Sequence, residues 1–206
     1  MKARALLVVA ALMAAAAPAR AQTRAAPEKP QTAVFAGGCF WGVDAVFRHV
    51  RGVTAVVSGY AGGGAATAHY DLVSTATTGH AESVEVTFDP ARVSYAELLR
   101  VFFTVAHDPT ERDRQGPDVG SQYRSVVFYG TPEQHAAAVA MIAALERETA
   151  YPRPIVTEVV PLERFYLAEA YHQDYLAHHA TSPYIVYNDL PKLKQLEARF
   201  PKLYRP

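Results

Sequence analysis

The sequence predicts an α+β fold, a two-layer sandwich in which helices pack on one face of a mixed or antiparallel sheet. Strand-like segments alternate along the chain with segments of helical spacing. Two of the strand-like segments follow one another across a long glycine-rich loop with no helix between them, which disfavours a doubly wound parallel sheet. Half of the 206 residues are apolar, which is enough for one domain with a hydrophobic core.

The first half of the predicted domain contains three strands and one helix. Phe40, Val43, Phe47 and Val50 are spaced as one face of a helix. The segments that flank this helix are rich in β-branched and glycine residues, and in a later segment apolar and polar residues alternate as in a half-buried strand. We therefore predict strands at 32–37, 52–62 and 82–90, a helix at 40–50 and a loop at 61–78.

The second half contains two helices that begin with recognisable capping signals. Ser94 and Glu97 have the spacing of a capping box, and Thr131 is followed by Pro132 in the first turn of the next helix. The resulting order β-α-β-loop-β-α-β-α-β is typical of split βαβ units, and it predicts a sandwich of ferredoxin-like character. The predicted elements are helices at 94–107 and 131–148, strands at 122–130 and 154–160, a loop at 108–120, and then a mostly helical and irregular tail.

The amino-terminal segment has the three parts of a secretory signal peptide. Lys2 and Arg4 precede an uncharged apolar run from Ala5 to Ala17, and Ala-Arg-Ala stands before Gln22. An uncleaved membrane anchor is the alternative, although the apolar run is shorter than the roughly 20 residues that span a bilayer. We predict a signal peptide at 1–21, a linker at 22–31 and a single domain at 32–206, located in the periplasm or secreted.

The charge balance excludes one class of partner. The 20 basic and 20 acidic residues cancel, and loss of residues 1–21 removes Lys2, Arg4 and Arg20 but no acid, which changes the formal charge from 0 to −3. Because the mature chain has no basic stripe, nucleic acid is not expected as a partner. We also expect a monomer that does not associate with membranes after signal cleavage.

The only cysteine, Cys39, stands two residues before the only tryptophan, Trp41, at a predicted junction between strand and helix. Free amides and the dipole at a helix amino terminus stabilise an anion, so this position predicts a lowered thiol pKa and a nucleophilic thiolate. Gly37 and Gly38 are expected to let the backbone turn tightly and to leave the sulfur uncovered. The alternative is that Cys39 is a small buried core residue.

Acids and phenols at loop ends and strand starts are candidate proton partners for this thiol. Glu82 stands between a turn and a strand, and Tyr70 lies in the long loop before it. Tyr123 stands at another predicted strand start, after a loop that contains Asp118. Each of these residues has an ordinary alternative, since Glu82 can be solvated and a tyrosine can lie at the edge of a core.

Five motifs in order carry a resemblance to a known family. The segments GCFWG, TGHAE, HDPT, QGPDVGSQYRS and AEAYHQDY resemble those of the A-type methionine sulfoxide reductases, and the match extends from about Thr32 to Tyr175. Enzymes of this type reverse the oxidation of methionine. The resemblance implies an oxidoreductase that acts on methionine S-sulfoxide, free or in proteins, in the repair of oxidised proteins.

The resemblance also implies roles for individual residues. Cys39 matches the nucleophile that attacks the sulfoxide sulfur and becomes a sulfenic acid. Glu82 matches the acid on the sulfoxide oxygen, a role that requires a carboxyl kept neutral near pH 7 by burial. Tyr70 and Tyr123 match two phenols directed at the same oxygen. The implied substrate-binding residues are Phe40 and Trp41, beside the substrate methyl group, and Asp118.

One departure from many relatives concerns the carboxyl-terminal end. Many members carry further cysteines there, which resolve the sulfenic acid as a disulfide, whereas Cys39 is the only cysteine in this chain. The resemblance therefore implies recycling by an external reductant, either a thioredoxin-like protein or a small thiol. It implies no cofactor, and the absence of an H-E-x-x-H motif and of a cysteine pair disfavours a metal centre.

Two other functions remain open from the residues alone. Cys39 could pair with a histidine such as His80 in a cysteine hydrolase or transferase that forms an acyl-enzyme. Alternatively, Trp41 and the tyrosines could hold a hydrophobic peptide in a binding module without turnover.

Overall fold

The computed structural model describes residues 29–206 and has a mixed α/β fold. The predicted signal peptide at 1–21 and most of the predicted linker at 22–31 lie outside the described residues. Within 29–206, no helix is long and apolar enough to cross a membrane. The strands are β1 (Gln31–Ala36), β2 (Val53–Ala61), β3 (Ala81–Phe88), β4 (Arg114–Gln115), β5 (Asp118–Val119), β6 (Val126–Tyr129), β7 (Glu158–Pro161) and β8 (Phe165–Leu167). The α-helices are α1 (Phe40–Arg48), α2 (Tyr70–Val73), α3 (Tyr95–Val101), α4 (Pro132–Arg147), α5 (Tyr175–His178) and α6 (Leu190–Arg199).

Six of the strands form one mixed sheet in the order β7-β6-β1-β3-β2-β8. Every neighbouring pair is antiparallel except β6 and β7, which are parallel. Strands β4 and β5 form a separate two-stranded hairpin. The sheet is thus mixed, as the sequence predicts, and the longest pairing joins β2 to β3.

The main hydrophobic core lies between one face of the sheet and the longer helices. Phe35 of β1 stacks between Phe47 of α1 and Phe102, with ring centroids 5.2 and 4.9 Å away. Residues of α3, α4 and α6 complete this core. Truncation of one such buried aromatic side chain to alanine typically costs about 3–5 kcal/mol. A smaller apolar cluster, which includes Val34 and Phe128, covers the opposite face of the sheet.

Several predicted elements are confirmed and several differ. The apolar face predicted for the first helix is buried, and the capping box of Ser94 and Glu97 is present at the start of α3. The predicted helix at 94–107 continues beyond α3 as a π-helical turn, Phe102–Ala106. The predicted loop at 61–78 contains α2, a single helical turn whose last residue, Val73, is buried in the core.

The carboxyl-terminal tail, residues 168–206, follows a strand that the sequence analysis missed. Strand β8 is only three residues long and pairs with β2 at the sheet edge, so its sequence shows no clear alternation. After it, Gln173 fixes the tail to the same edge, since its side chain accepts a hydrogen bond from the Ser58 amide and donates one to the Ser58 carbonyl, both at 2.9 Å. The tail then packs over the outer side of α1, where Leu176 and Ile185 contact Ala45.

Candidate active site

Cys39 lies at the amino-terminal cap of α1, three residues after the end of β1. The turn that leads to it is tight, because Gly38 has a φ of +86° and its amide donates a hydrogen bond to the Tyr123 carbonyl at 3.2 Å. A Cβ at Gly38 would stand 2.6 Å from the Gln115 Cβ. The tight turn is as predicted, but the prediction of an uncovered sulfur is wrong, since Cys39 is only 8% exposed.

The predicted lowering of the thiol pKa is also wrong. Burial raises the pKa of Cys39 well above its ordinary value, and the nearby carboxyls of Glu82 and Asp189 act in the same direction. A hydrogen bond from the Trp41 amide lowers the pKa, but its effect is smaller. The helix amino terminus therefore does contribute, and loss of solvent around the sulfur outweighs it. The resting group is a neutral thiol.

Glu82 reaches the thiol because of the sheet register. Strands β1 and β3 are antiparallel, with Phe35 opposite Val84, so the end of β1 lies beside the start of β3 where Glu82 stands. The Glu82 carboxyl is 2% exposed, and its Oε2 accepts a hydrogen bond from the Phe40 amide at 3.1 Å. The predicted acid is thus placed at the residue that follows Cys39.

The Glu82 carboxyl is protonated at neutral pH. Burial raises the pKa of Glu82 to about 8, the Phe40 amide opposes this rise, and the negative charge of Asp118 adds to it. Because Oε2 accepts the amide hydrogen bond, Oε1 is left to carry the proton. The buried cleft therefore contains a neutral acid of the kind that can deliver a proton.

The two predicted phenols lie close to this pair. Tyr70 is the first residue of α2, and Tyr123 ends a 3-10 turn, Ser121–Tyr123, so Tyr123 precedes its strand rather than starting it. Burial raises the pKa of both tyrosines, and the charges of Glu82 and Cys39 raise it further. All four side chains are therefore within electrostatic reach of one another, and the two phenols are neutral donors.

The two aromatic residues after Cys39 differ in exposure. Phe40 is 1% exposed, with its ring packed against Tyr60 and His172 at centroid distances of 5.9 and 4.9 Å. Trp41 is only partly buried, and its indole stacks on Tyr175 at 3.7 Å. Trp41 thus offers an apolar surface beside the thiol, whereas Phe40 offers mainly its backbone amide.

Asp118 is the remaining predicted binding residue. It begins β5, and its carboxylate accepts a short hydrogen bond, 2.5 Å, from the hydroxyl of Tyr184 in the tail. Asp118 also raises the pKa of Glu82, Tyr70 and Tyr123, which places its charge near all three. The structure therefore gathers every residue that the sequence analysis selected for the site.

Three residues of the tail belong to the same region and were missed. Glu169 accepts hydrogen bonds from the Tyr60 hydroxyl at 2.8 Å and from the Tyr70 amide at 3.0 Å. His172 accepts one from the Trp41 indole at 3.1 Å. Both residues lie in the quoted AEAYHQDY motif, to which no individual role was assigned.

Asp189 is the third missed residue. It is buried and pairs with Lys192, with Oδ1 and Nζ 3.2 Å apart. A Cβ at Gly42 of α1 would stand 2.1 Å from Asp189 Oδ1, so the ion pair sits directly on this glycine. A glycine inside a helical apolar pattern was the available sequence signal, since it commonly marks a close approach.

The pairing of Cys39 with His80 is not observed. His80 Nε2 is 3.0 Å from the Gly64 carbonyl oxygen, and His80 Nδ1 has no partner within the described part of the chain. No group of three or more His, Cys, Asp or Glu side chains between residues 29 and 206 is arranged to hold a metal ion. The site is therefore built around one thiol, one neutral carboxyl and two phenols.

Fold and site together place the chain among mixed α/β proteins whose site combines one buried thiol with a buried carboxyl of raised pKa. A family model described as peptide methionine sulfoxide reductase matches residues 31–203, which is most of the chain. The chain belongs to this family, and the protein is an oxidoreductase. The resemblance carried by the five motifs is thereby confirmed.

Individual relatives agree with the family match. The chain is 54% identical over 181 residues to peptide methionine sulfoxide reductase MsrA 2 of Mesorhizobium japonicum, which covers 88% of this chain and 92% of that protein. Mxr1 from Saccharomyces cerevisiae in reduced form is similar in structure, with a TM-score of 0.68 and 30% identity over 75% of this chain and 88% of that one. Methionine sulfoxide reductase A of Corynebacterium diphtheriae has a TM-score of 0.68 and 35% identity over 73% and 76% of the two chains.

Proposed function

We propose that the protein reduces the S epimer of methionine sulfoxide, free or in proteins, and so repairs oxidised proteins. The observation that carries this proposal is the neutral Glu82 carboxyl, which accepts a hydrogen bond from the Phe40 amide, next in the chain to Cys39, and lies close enough to raise the pKa of the Cys39 thiol. Protonation of the sulfoxide oxygen makes the sulfoxide sulfur electrophilic enough for a thiol to attack, and a buried acid with a pKa of about 8 can supply that proton at neutral pH.

In the first step the Cys39 sulfur attacks the sulfoxide sulfur, and Glu82 protonates the sulfoxide oxygen. Tyr70 and Tyr123 donate hydrogen bonds to the same oxygen. The Glu82 carboxylate that results accepts the thiol proton, so the acid is regenerated within the step. The bond formed between the two sulfurs and the S–O bond of the substrate then break as the hydroxyl group moves to the Cys39 sulfur, which leaves the methionine thioether and a Cys39 sulfenic acid. One thiol and one sulfoxide give one sulfenic acid and one methionine, with no proton gained or lost.

The position of Trp41 supports selection of one epimer. The proton donors come from β3, α2 and the turn before β6, whereas the apolar surface of Trp41 belongs to α1. A sulfoxide whose oxygen faces Glu82 and whose methyl group faces Trp41 presents one configuration of its sulfur to Cys39. The resemblance of the five motifs to the A-type reductases supports the choice of the S epimer.

Recycling needs a reductant from outside the chain. Cys39 is the only cysteine, so the sulfenic acid has no intramolecular thiol partner. Two external thiol groups reduce it in sequence. The first forms a mixed disulfide and releases water, and the second releases Cys39 and leaves the reductant oxidised as a disulfide. A small thiol or a thioredoxin-like protein provides this chemistry.

The scaffold and location complete the proposal. The central order β6-β1-β3-β2, with α1 between β1 and β2 and α3 between β3 and β6, supports the ferredoxin-like interpretation of the sheet.

The amino-terminal sequence supports export and cleavage after Ala21. Intact-mass measurement of the protein recovered from its host should then show Gln22 as the first residue, and recovery of the full precursor in the cytosol would overturn export.

Turnover of the two epimers tests the proposed function. With a chemical dithiol, the wild-type protein should reduce the S epimer of free or peptidyl methionine sulfoxide and leave the R epimer unchanged. The matched control is Cys39→Ser, which should reduce neither. Equal rates on both epimers would contradict the proposal.

A further inference from the structure

The side chain of Arg124 joins two segments that lead to residues of the candidate site. Arg124 directly follows Tyr123, and its Nη1 donates hydrogen bonds to the Ser121 carbonyl at 2.9 Å and to the His80 carbonyl at 3.2 Å. Its Nη2 donates one to the Gly79 carbonyl at 3.0 Å. Ser121 belongs to the 3-10 turn that ends at Tyr123, whereas Gly79 and His80 stand just before β3. One guanidinium therefore connects that turn with the loop that enters β3.

Both ends of this link lie close to groups of the proposed reaction. Gly79 has a φ of +78°, and the chain enters β3 two residues later, where Glu82 is the second residue of the strand. On the other side, the Tyr123 carbonyl accepts the hydrogen bond from the Gly38 amide, one residue before Cys39. The separation of the turn and the loop therefore affects how the acid, the phenol and the thiol are placed.

The contacts of Arg124 need a guanidinium. This group presents five N–H donors in one rigid plane, so its nitrogens can bind carbonyls of two segments at a fixed spacing, whereas an ammonium donates from a single point. The Arg124 side chain is 15% exposed, and its Nε lies 3.5 Å from Oε2 of Glu158, a half-exposed residue. Because an ion pair with so exposed a partner contributes little, the three hydrogen bonds to carbonyls are the main contacts.

We infer that Arg124 is a positioning residue, which holds the turn of Tyr123 and the loop before Glu82 at a fixed separation so that the phenol and the acid meet at the same sulfoxide oxygen. This inference rests on the proposed function. The guanidinium lines a cavity of about 280 Å³ together with Phe128 and Arg164, and none of the residues selected for the candidate site lines it. Arg124 therefore acts through the backbone of the two segments and not on the substrate.

Arg124→Lys tests the inference with the charge retained. Loss of the link should let Glu82 and Tyr123 move relative to Cys39, and a misplacement of about 1 Å can lower a reaction rate by roughly 10²-fold. We expect the single-turnover rate constant for methionine formation at saturating S-sulfoxide to fall by roughly 10- to 10²-fold. The substrate concentration that gives half of the maximal rate should change much less, because the proton donors act mainly in the transition state.

The titration of Glu82 gives a second readout, which does not depend on turnover. In the wild type its carboxyl should titrate near its pKa of about 8, which burial produces. In Arg124→Lys a displaced loop admits water beside the carboxyl, so the pKa should fall towards its ordinary range. ¹³C NMR of the Glu82 carboxyl carbon across pH measures both proteins. Since the charge at position 124 is the same, a fall in the pKa reports a change in placement.

Arg164→Lys is the matched control for this substitution. Arg164 lines the same cavity but is exposed, with its guanidinium 5.6 Å from the centre of the Tyr166 ring. Both the single-turnover rate and the Glu82 titration should stay as in the wild type. In a third variant, Arg124→Ala, added guanidinium should restore part of the lost rate, whereas ammonium at the same ionic strength should not.

A folded Arg124→Lys protein with the wild-type rate and the wild-type Glu82 titration would overturn the inference. If Arg124→Lys does not fold, recovery of Arg124→Ala by guanidinium decides it, and a lack of recovery would overturn it. Failure of both variants to fold would show that the arginine serves the fold rather than the site, which also overturns it. A wild-type protein that reduces neither epimer would overturn the proposed function, while the Glu82 titration would still show whether Arg124 holds the acid in place.

Discussion

The two regions that build the active site differ in how their side chains are held. The first, which we call the reactive junction, consists of residues 37–41 together with Glu82, and its groups are fixed by neighbouring strands and by the first turn of α1. The second, the carboxyl-terminal tail, supplies His172, Tyr175, Tyr184 and Asp189 from short turns and irregular segments. The reactive junction contains the proposed reacting groups, and the tail contributes side chains that contact Trp41 and a carboxyl, Asp189, that raises the pKa of Cys39.

This difference indicates which parts of the chain set the pKa values of Glu82 and Cys39. The sheet register alone brings Glu82 beside Cys39, but a carboxyl in open solvent would have its ordinary pKa. The tail covers the outer side of α1 and brings a further carboxyl near the thiol. We therefore expect changes in the reactive junction to affect chemistry strongly, and changes in the tail to affect pKa, substrate affinity and stability.

The largest effect is expected from Glu82→Gln. Glutamine can still donate a hydrogen bond to the sulfoxide oxygen but cannot transfer a proton, so kcat should fall by roughly 10²-fold or more. In the wild type, the rate of sulfoxide reduction should fall as pH rises through about 8, where Glu82 loses its proton. Stopped-flow or discontinuous single-turnover assays across pH measure both. Unchanged activity of the variant would remove Glu82 from the chemistry.

Glu82→Gln should lower activity but raise the free energy of unfolding at high pH. The folded-state pKa of Glu82, about 8, lies above its ordinary value of 4.5, so the folded protein binds this proton more tightly than the unfolded chain. The contribution of Glu82 to stability is therefore fully present below about pH 4.5 and is lost as pH rises to 8. In urea denaturation, Glu82→Gln should exceed the wild type in free energy of unfolding at pH 8 and match it near pH 4.5. Equal differences at both pH values would contradict the assigned burial effect.

Gly42→Ala tests the contact between the two regions. Its Cβ would stand 2.1 Å from Asp189 Oδ1 and 2.5 Å from Lys192 Nζ, so the buried pair must move. We expect a loss of about 1–3 kcal/mol, as in other overpacked sites, although the same change inside an exposed helix normally stabilises. Thermal or urea unfolding measures it. Gly64→Ala, whose Cβ would meet nothing within 4 Å, is the matched control.

A smaller effect is expected from Asp189→Asn. The Asp189 carboxyl raises the pKa of Cys39, so its neutralisation should lower the pH at which the thiol becomes reactive. The rate of Cys39 alkylation as a function of pH reports this directly. Glu197→Gln, an exposed acid on α6, should leave the profile unchanged. A profile that does not move in Asp189→Asn would show that the tail does not adjust the thiol.

The reactive junction could be predicted from sequence because its signals are local and regular. The order of the strand-like segments along the chain, the apolar face of α1 and the position of Cys39 at its start follow from short-range patterns, whereas Glu82 was selected through the resemblance of the five motifs. The direction of the thiol pKa could not be predicted, since it depends on the burial of Cys39, which is a property of packing between segments that are distant in sequence. His172 and Asp189 were missed for the same reason, because their contacts with Trp41 and Gly42 of α1 join segments more than 100 residues apart along the chain.

The central claim is that Cys39 takes the sulfoxide oxygen, with no second thiol in the chain to resolve the product. Mass spectrometry after a single turnover without reductant tests it most directly. The account predicts one methionine released per enzyme molecule and a monomer that is heavier by one oxygen atom, located on Cys39. A dimer linked through Cys39 of two chains as the main product, or an enzyme of unchanged mass after methionine release, would contradict it.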